Sequence, residues 1–515
     1  MLGYHTRSAF ITECLRALAL LLLGVGVCLG QTSTTPTHEV DPGQNTVSTI
    51  PLPDRPDLPD QIPTDTTSPL GSDAGEQVTA PSTQQSFFLA GIHASESAET
   101  NPSNSANSSS LYSVTRLTGN LSVLKFWRRA VTALDYSGGA LIYDSSVEQL
   151  QEFNITHRLL WNRTQLTFTN SLATLPEGNF GFSGFGGAGI YNLVFAGTGA
   201  GISSDSGLAE FFGSASLAGI GVGSHITNVS LVEVQHSLTA RSSATLAAGY
   251  GITDYYGDSK NLTNNNQLSG LADYSYLLSP RSLVGFFYGF RYFQYPETSE
   301  ISVPLLLTRL SLTTHIVQLQ YAHQLSHRLS FRVGAGPEFT ALRSTAFLYL
   351  PPLPKTLLGG IINNQVNVSA ISLLTYRLGH TETTLSYRRL VSNGSGFLPG
   401  ANSNVFNFSA SRPISRAWRA SINAGYVQLH GIGESYSSQS YQASYAGVAF
   451  RRELARNLDL LASYQFNSTT YGGSLCSSLE TCSPKRHIVL FGLSWNIRPV
   501  RVEPSNWSDW NKKDP

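Results

Sequence analysis

Charge is scarce in this chain. Its 515 residues include 33 basic and 33 acidic side chains, 13% charged in all, where a soluble globular protein carries about 25%. Between Thr164 and Ala240 there is no Lys or Arg at all. Methionine occurs once. After residue 30 no stretch approaches the ~18 uninterrupted apolar residues that a membrane helix needs, so helical spans are excluded. Also missing are a P-loop, an HExxH, a GxSxG and a CxxC pair. Nothing carries a catalytic arrangement, so the chain is read as a non-enzyme with no cofactor, no metal and no nucleic-acid partner.

Alternation is what the sequence has in abundance. Val232, Val234, His236 and Leu238 alternate with Glu233, Gln235 and Ser237; after a polar turn, Leu246, Ala248, Tyr250 and Ile252 alternate with Thr245, Ala247 and Gly249. A period of two gives each strand one apolar and one polar face. Hairpins of this kind centre near Trp127, Trp161, Thr239, Pro280, His327, Gly379, Ser415 and Asn457. A last strand covers Arg486–Ile497, and Ser86–His93 supplies a first upward strand, with 94–110 as its external loop. Long strands with short turns at one end and long loops at the other describe a transmembrane β-barrel. The expected fold is therefore all-β, an antiparallel up-and-down barrel of about 18 strands, with 16 as the alternative. Tyr250, Tyr255, Tyr256, Tyr288, Phe290, Tyr292, Tyr464 and Phe466 fall toward the loop side, and Trp127, Trp161 and Trp418 toward the turn side. Such aromatics form girdles at the two membrane interfaces.

The rest of the chain divides by composition. Residues 1–30 read as a secretory signal: Arg7 and Arg16 precede the apolar run Ala17–Leu29, with small residues before Gln31. Residues 31–84 are rich in Pro, Asp and Thr and read as a disordered periplasmic linker. Residues 31–110 hold one basic and ten acidic side chains, net −9, whereas 111–500 hold 27 basic and 19 acidic, net +8. An acidic tail thus precedes a basic barrel, assigned to 85–498, and a polar tail, 499–515, ends the chain. Removal of the signal leaves Cys476 and Cys482, spaced for a disulfide in an oxidising compartment.

Two features point to transport. The segment 176–223 holds fourteen glycines together with Phe180, Phe182, Phe185, Phe211 and Phe212. It is expected either to fold into the lumen as a constriction carrying Glu177, Asp205 and Glu210, or to pack outside. Second, charges fall on the lumen-facing parity: Asp135, Glu152, Glu233 and Asp273 on earlier strands, Arg332, Arg377, Arg388 and Arg419 on later ones, with Glu338 as an exception. Facing one another, they would set a transverse field across a pore; paired with neighbours, they would satisfy one another.

The turns Leu278–Arg281 (LSPR) and Leu325–Arg328 (LSHR) and the run Leu134–Gly139 (LDYSGG), on this strand–turn pattern, resemble a bacterial outer-membrane β-barrel of the porin-like kind sometimes associated with exopolysaccharide export. The resemblance covers roughly residues 86–498. It implies an outer-membrane channel for small hydrophilic solutes or a glycan chain in a Gram-negative bacterium. Outer-membrane lipid and the barrel assembly machinery are the implied partners. The alternative is a structural or adhesive barrel with a plugged lumen and partner-binding external loops.

Overall fold

The computed structural model describes residues 86–100, 111–143, 147–175, 224–256, 262–300, 303–348, 355–396, 398–433, 436–473, 476, 482–497 and 500–501. The expected signal (1–30), linker (31–84), most of the C-terminal tail (499–515) and the glycine-rich segment (176–223) lie outside the described residues.

The strands follow in chain order: β1 (Phe87–Thr100), β2 (Leu111–Phe126), β3 (Ala130–Ile142), β4 (Val147–Leu160), β5 (Thr164–Leu175), β6 (His225–Thr239) and β7 (Ser242–Tyr255). Next come β8 (Asn265–Ser279), β9 (Ser282–Gln294), the short β10 (Thr298–Glu300), β11 (Val303–Ser326), β12 (Leu329–Leu348) and β13 (Thr356–Leu378). Then β14 (Thr381–Ser392), β15 (Ala401–Pro413), β16 (Trp418–Gly431), β17 (Ser440–Ala455), β18 (Leu458–Gly472), β19 (Lys485–Asn496) and the two-residue β20 (Val500–Arg501) complete the set. Each long strand pairs antiparallel with the next, and β1 pairs with β19 from Gly91↔Asn496 to Glu99↔Ile488. The result is a closed antiparallel barrel of 18 strands, the short β10 and β20 being appendages. Closure gives every long strand a neighbour on both sides, which is what allows a β-structure to sit in lipid.

The first strand is longer than the sequence reading allowed. It continues past His93 to Thr100, because Glu96–Thr100 pairs with Leu111–Thr115. The polar residues after His93 suggested a loop, yet they alternate: Ser97 and Glu99 are buried while Glu96 points outward, toward Ser113 and Thr115. The eight tight turns all lie where the hairpin centres place them, and all at one end of the wall.

Alternation fixes the two faces of the wall. Ile92, Leu117, Phe168, Val232, Leu246, Phe286, Leu319, Phe406, Phe450 and Phe491 are large apolar side chains exposed on the outer face. Their register partners continue the belt strand by strand, since directly paired residues share a face. Trp127, Trp161 and Trp418 stand exposed at the turn end. Tyr250, Tyr288 and Tyr464 also point outward, but Tyr255 is turned inward and buried, a correction to its assignment to the outer girdle. The inner face carries Thr118, Asn120, Ser122, Gln318, Gln320, Thr340, Gln465 and Asn467. It is not uniformly polar: Leu231, Ala247, Leu271, Phe287 and Ile316 form one buried apolar patch on the lumen side.

Candidate pore and its constriction

The register places all eight sequence-predicted pore charges on the inner parity. Asp135 (β3) pairs with Ser122, and Glu152 (β4) with Ser137. Glu233 (β6) pairs with Thr167, and Asp273 (β8) with Thr245. Arg332 (β12) pairs with Ala322, Arg377 (β13) with Glu382, Arg388 (β14) with Ile371 and Arg419 (β16) with Arg451. In a closed ring of 18 strands, half the ring separates β3 from β13, β4 from β14 and β6 from β16. Asp135, Glu152 and Glu233 are therefore on the side opposite Arg377, Arg388 and Arg419. The charges differ in height, with Arg377 and Arg419 near the turn end.

Several of these groups also have local partners. Ser122 donates to Asp135 at 2.5 Å, and Asn154 to Glu152 at 3.3 Å. Arg332 donates through Nη2 to Gln320 at 2.6 Å. Arg377 lies 3.5 Å from Glu382, both well exposed. Neighbour pairing and cross-lumen opposition thus coexist.

Sequence reasoning missed three inner ion-pair clusters. Glu99 sits between Arg116 (2.5 Å) and Arg486 at the seam where the first and last strands meet. Arg451 donates to Asp459 at 2.6 Å near His93, which bonds Asn120 at 2.8 Å. Arg291 on β9 reaches Glu338 on β12 at 3.3 Å, both fully buried. The signal was available: Arg116, Thr118, Asn120 and Ser122 alternate with Leu117 and Leu121, which assigns Arg116 to the inside.

The third cluster holds an excursion of the wall. β13 and β14 pair only from Ala370↔Arg389 to Leu378↔Thr381. Above that point β14 leaves β13, and Leu390, Val391 and Ser392 are all buried, breaking the period of two. The backbone edge that β14 withdraws from β13 finds new partners. Val391 N–H donates to both carboxylate oxygens of Glu338 at 3.1 Å, and Arg291 Nη2 donates to Val391 C=O at 2.6 Å.

The chain beyond β14 then reaches β8, five strands away round the ring. Asn393 Nδ2 donates to Asn265 Oδ1 on β8 at 3.3 Å, and Tyr295 O–H donates to Asn393 C=O at 3.3 Å. Thr263 N–H donates to Gly396 C=O at 2.8 Å. Gly396 has φ 79° and Gly400 φ 110°, values that L side chains avoid. A Cβ at Gly396 would meet the Tyr255 ring at 2.7 Å, and one at Gly400 would meet Leu312 Cδ2 at 2.7 Å. Val391 packs with Phe293, Tyr295, Leu312, Leu342 and Ile432, while Leu398 packs with Val405, Val427 and Leu429. Fully burying such a side chain contributes about 1.5–3 kcal/mol, which offsets the backbone pairs lost on β13. A short segment after β14 therefore lies on the inner side of the wall, between β14 and β7–β8. Glu177, Asp205 and Glu210, the expected constriction residues, lie outside the described residues.

Cys476 and Cys482 are bonded in the loop between β18 and β19, with Cα atoms 4.9 Å apart.

A closed wall with an apolar outer belt and aromatic residues at its ends is that of a transmembrane β-barrel. No family model matches the chain, and no curated protein matches it. Among solved structures it is similar to the ferric-catecholate import receptor Fiu of E. coli K12, at 9% identity and TM-score 0.40, over 79% of this chain and 81% of that one. It is also similar to Pseudomonas aeruginosa OpdL, at 11% identity and TM-score 0.36, over 80% of this chain and 98% of the other. Acinetobacter baumannii OccAB4 matches at 8% identity and TM-score 0.37, with 80% and 98% covered.

Proposed function

We propose that this outer-membrane barrel is a channel for small hydrophilic solutes. The observation that carries the reading is the inner face. Serine, threonine, asparagine and glutamine line it on strand after strand, and Asp135, Glu152 and Glu233 stand half a ring away from Arg377, Arg388 and Arg419. A wall that served only as an anchor has no use for these opposed groups, whereas a transverse field orients polar solutes as they pass. Folding into the membrane would proceed through the barrel assembly machinery.

The export of a glycan chain is a narrower form of the same reading. Thr118, Asn120, Gln318, Gln320 and Asn467 offer the hydroxyl and amide groups that sugars bond. The short turn motifs Leu278–Arg281 and Leu325–Arg328 support it by resemblance. The plugged, adhesive alternative draws on the segment after β14, which fills part of the lumen.

Liposome swelling separates the readings. Vesicles carrying the purified barrel should swell in isotonic monosaccharide and progressively less in longer oligosaccharides. Equal swelling with and without the protein would remove the channel reading and favour the plugged barrel.

A further inference from the structure

We propose that the top of β14, with the segment that follows it, is the size filter of this channel, and that Arg291 and Glu338 are the positioning residues that hold it inside. The inference rests on the channel reading and adds to it the element that sets the passage.

The geometry has two sides. On the inner side, Val391 gives its backbone N–H and C=O to Glu338 and Arg291, as a neighbouring strand would receive them. The ion pair stands in for a missing strand. Beyond it, Asn393 and Gly396 are fastened to β8 and to Thr263 just before it. The Asn393–Asn265 contact links residues 128 apart in sequence. On the outer side, β13 above Ala370 is paired with β12 alone among the described residues. Leu357, Leu358, Ile361, Ile362, Val366 and Val368 are exposed along that stretch. β14 stays paired with β15 up to Ser392↔Ala401, and had it also stayed against β13, its residues would have covered the lower part of this edge. Continuing the observed register upward from Ala370↔Arg389 would set Ser369 against Leu390 and Val368 against Val391. The chain gives up those pairs to put the segment into the lumen, and the left-handed glycines Gly394, Gly396 and Gly400 shape its path.

Arg291 and Glu338 touch the backbone of β14 and no solute, so they act through the segment they hold. Their removal should widen the passage without altering the charges lining it elsewhere. A merely structural role would lower stability and leave the passage of a folded barrel unchanged.

The test uses the full-length protein and two independent variants. The first is Val368→Cys with Val391→Cys. These positions face each other only if β14 zips onto β13, at the ~4.5–5.5 Å Cα separation of antiparallel neighbours, within disulfide reach. The second is Arg291→Ala with Glu338→Ala, which removes both halves of the clasp and leaves no lone buried charge. Folding of each is checked by heat-modifiable migration on gels. Single-channel conductance and the longest oligosaccharide admitted are then measured. The expected result is a conductance at least two-fold above the parent in the oxidised cysteine variant, reverting on reduction. The double-alanine variant should show a similar rise and admit longer oligosaccharides. If the parent conducts and both folded variants match it in conductance and size limit, the filter assignment is overturned while the channel reading stands. If the cysteine pair does not form, the double-alanine variant alone decides. A silent parent with conducting variants supports the filter as a full plug. Silence in all three overturns the filter and the channel together.

Discussion

Glu99 near the end of the first long strand is gripped by Arg486 on the last, 387 residues away in sequence, and both side chains are buried. Arg116 on β2 holds the other carboxylate oxygen at 2.5 Å. The closing seam of the barrel is therefore fastened by a charge cluster as well as by the β1–β19 ladder.

Breaking this cluster from its centre should be costly. Glu99→Ala would leave two buried guanidinium groups without their shared counter-charge. Loss of one partner from a buried pair costs about 3–5 kcal/mol. The urea midpoint of the folded barrel in detergent should fall markedly, and heat-modifiable migration should be lost at a lower temperature. An unchanged midpoint would mean that backbone pairing alone fastens the seam.

The outer belt makes a contrasting demand. Phe491 on β19 is 60% exposed and points to lipid. Phe491→Arg should cost roughly 2–4 kcal/mol if it lies near the bilayer midplane and should reduce the amount of assembled barrel in outer-membrane fractions. Equal assembly of the arginine variant would place this position away from the hydrocarbon.

The cysteine pair should matter little to folding. Thiol labelling of mature protein should succeed only after reduction. Replacing Cys476 and Cys482 by Ser should preserve heat-modifiable migration, because the stabilisation from cross-linking grows with the length of the loop closed and this loop is short. Failure of the double variant to assemble would show that the loop between β18 and β19 guides folding.

Strand number, turn positions and the two faces were legible because each rests on a local pattern. Period-2 alternation sets the faces, and turns such as Pro280–Arg281 interrupt it at regular spacing. The inner charges followed from parity in the same way. The excursion of β14 did not follow, since its partners lie on β8, β9 and β12, far off in sequence. Its local trace is slight: Leu390 and Val391 break the alternation, and a run containing Gly394, Gly396 and Gly400 follows. A much longer glycine-rich segment, 176–223, drew the reading of a constriction or an external loop, and it lies outside the described residues. The extension of β1 past His93 was hidden because Ser95, Ser97 and Glu99 look like loop residues until the inside of the barrel is known to want them.

The opposed charges predict ion preference. Neutralising the acidic side through Asp135→Asn, Glu152→Gln and Glu233→Gln together should move the reversal potential toward anion selectivity, with the opposing Arg377, Arg388 and Arg419 left in place. The shift should shrink as salt rises, since charges more than ~8 Å apart are largely screened at physiological ionic strength where water reaches them. A reversal potential that does not move would mean that each charge is already cancelled by its neighbour.

Conductance across a planar bilayer tests the central claim most directly. A single purified barrel inserted under an applied voltage should give discrete open-channel steps, the result expected of a passage lined by the polar inner face. Stable insertion with no steps at any voltage or salt concentration would contradict a conducting lumen.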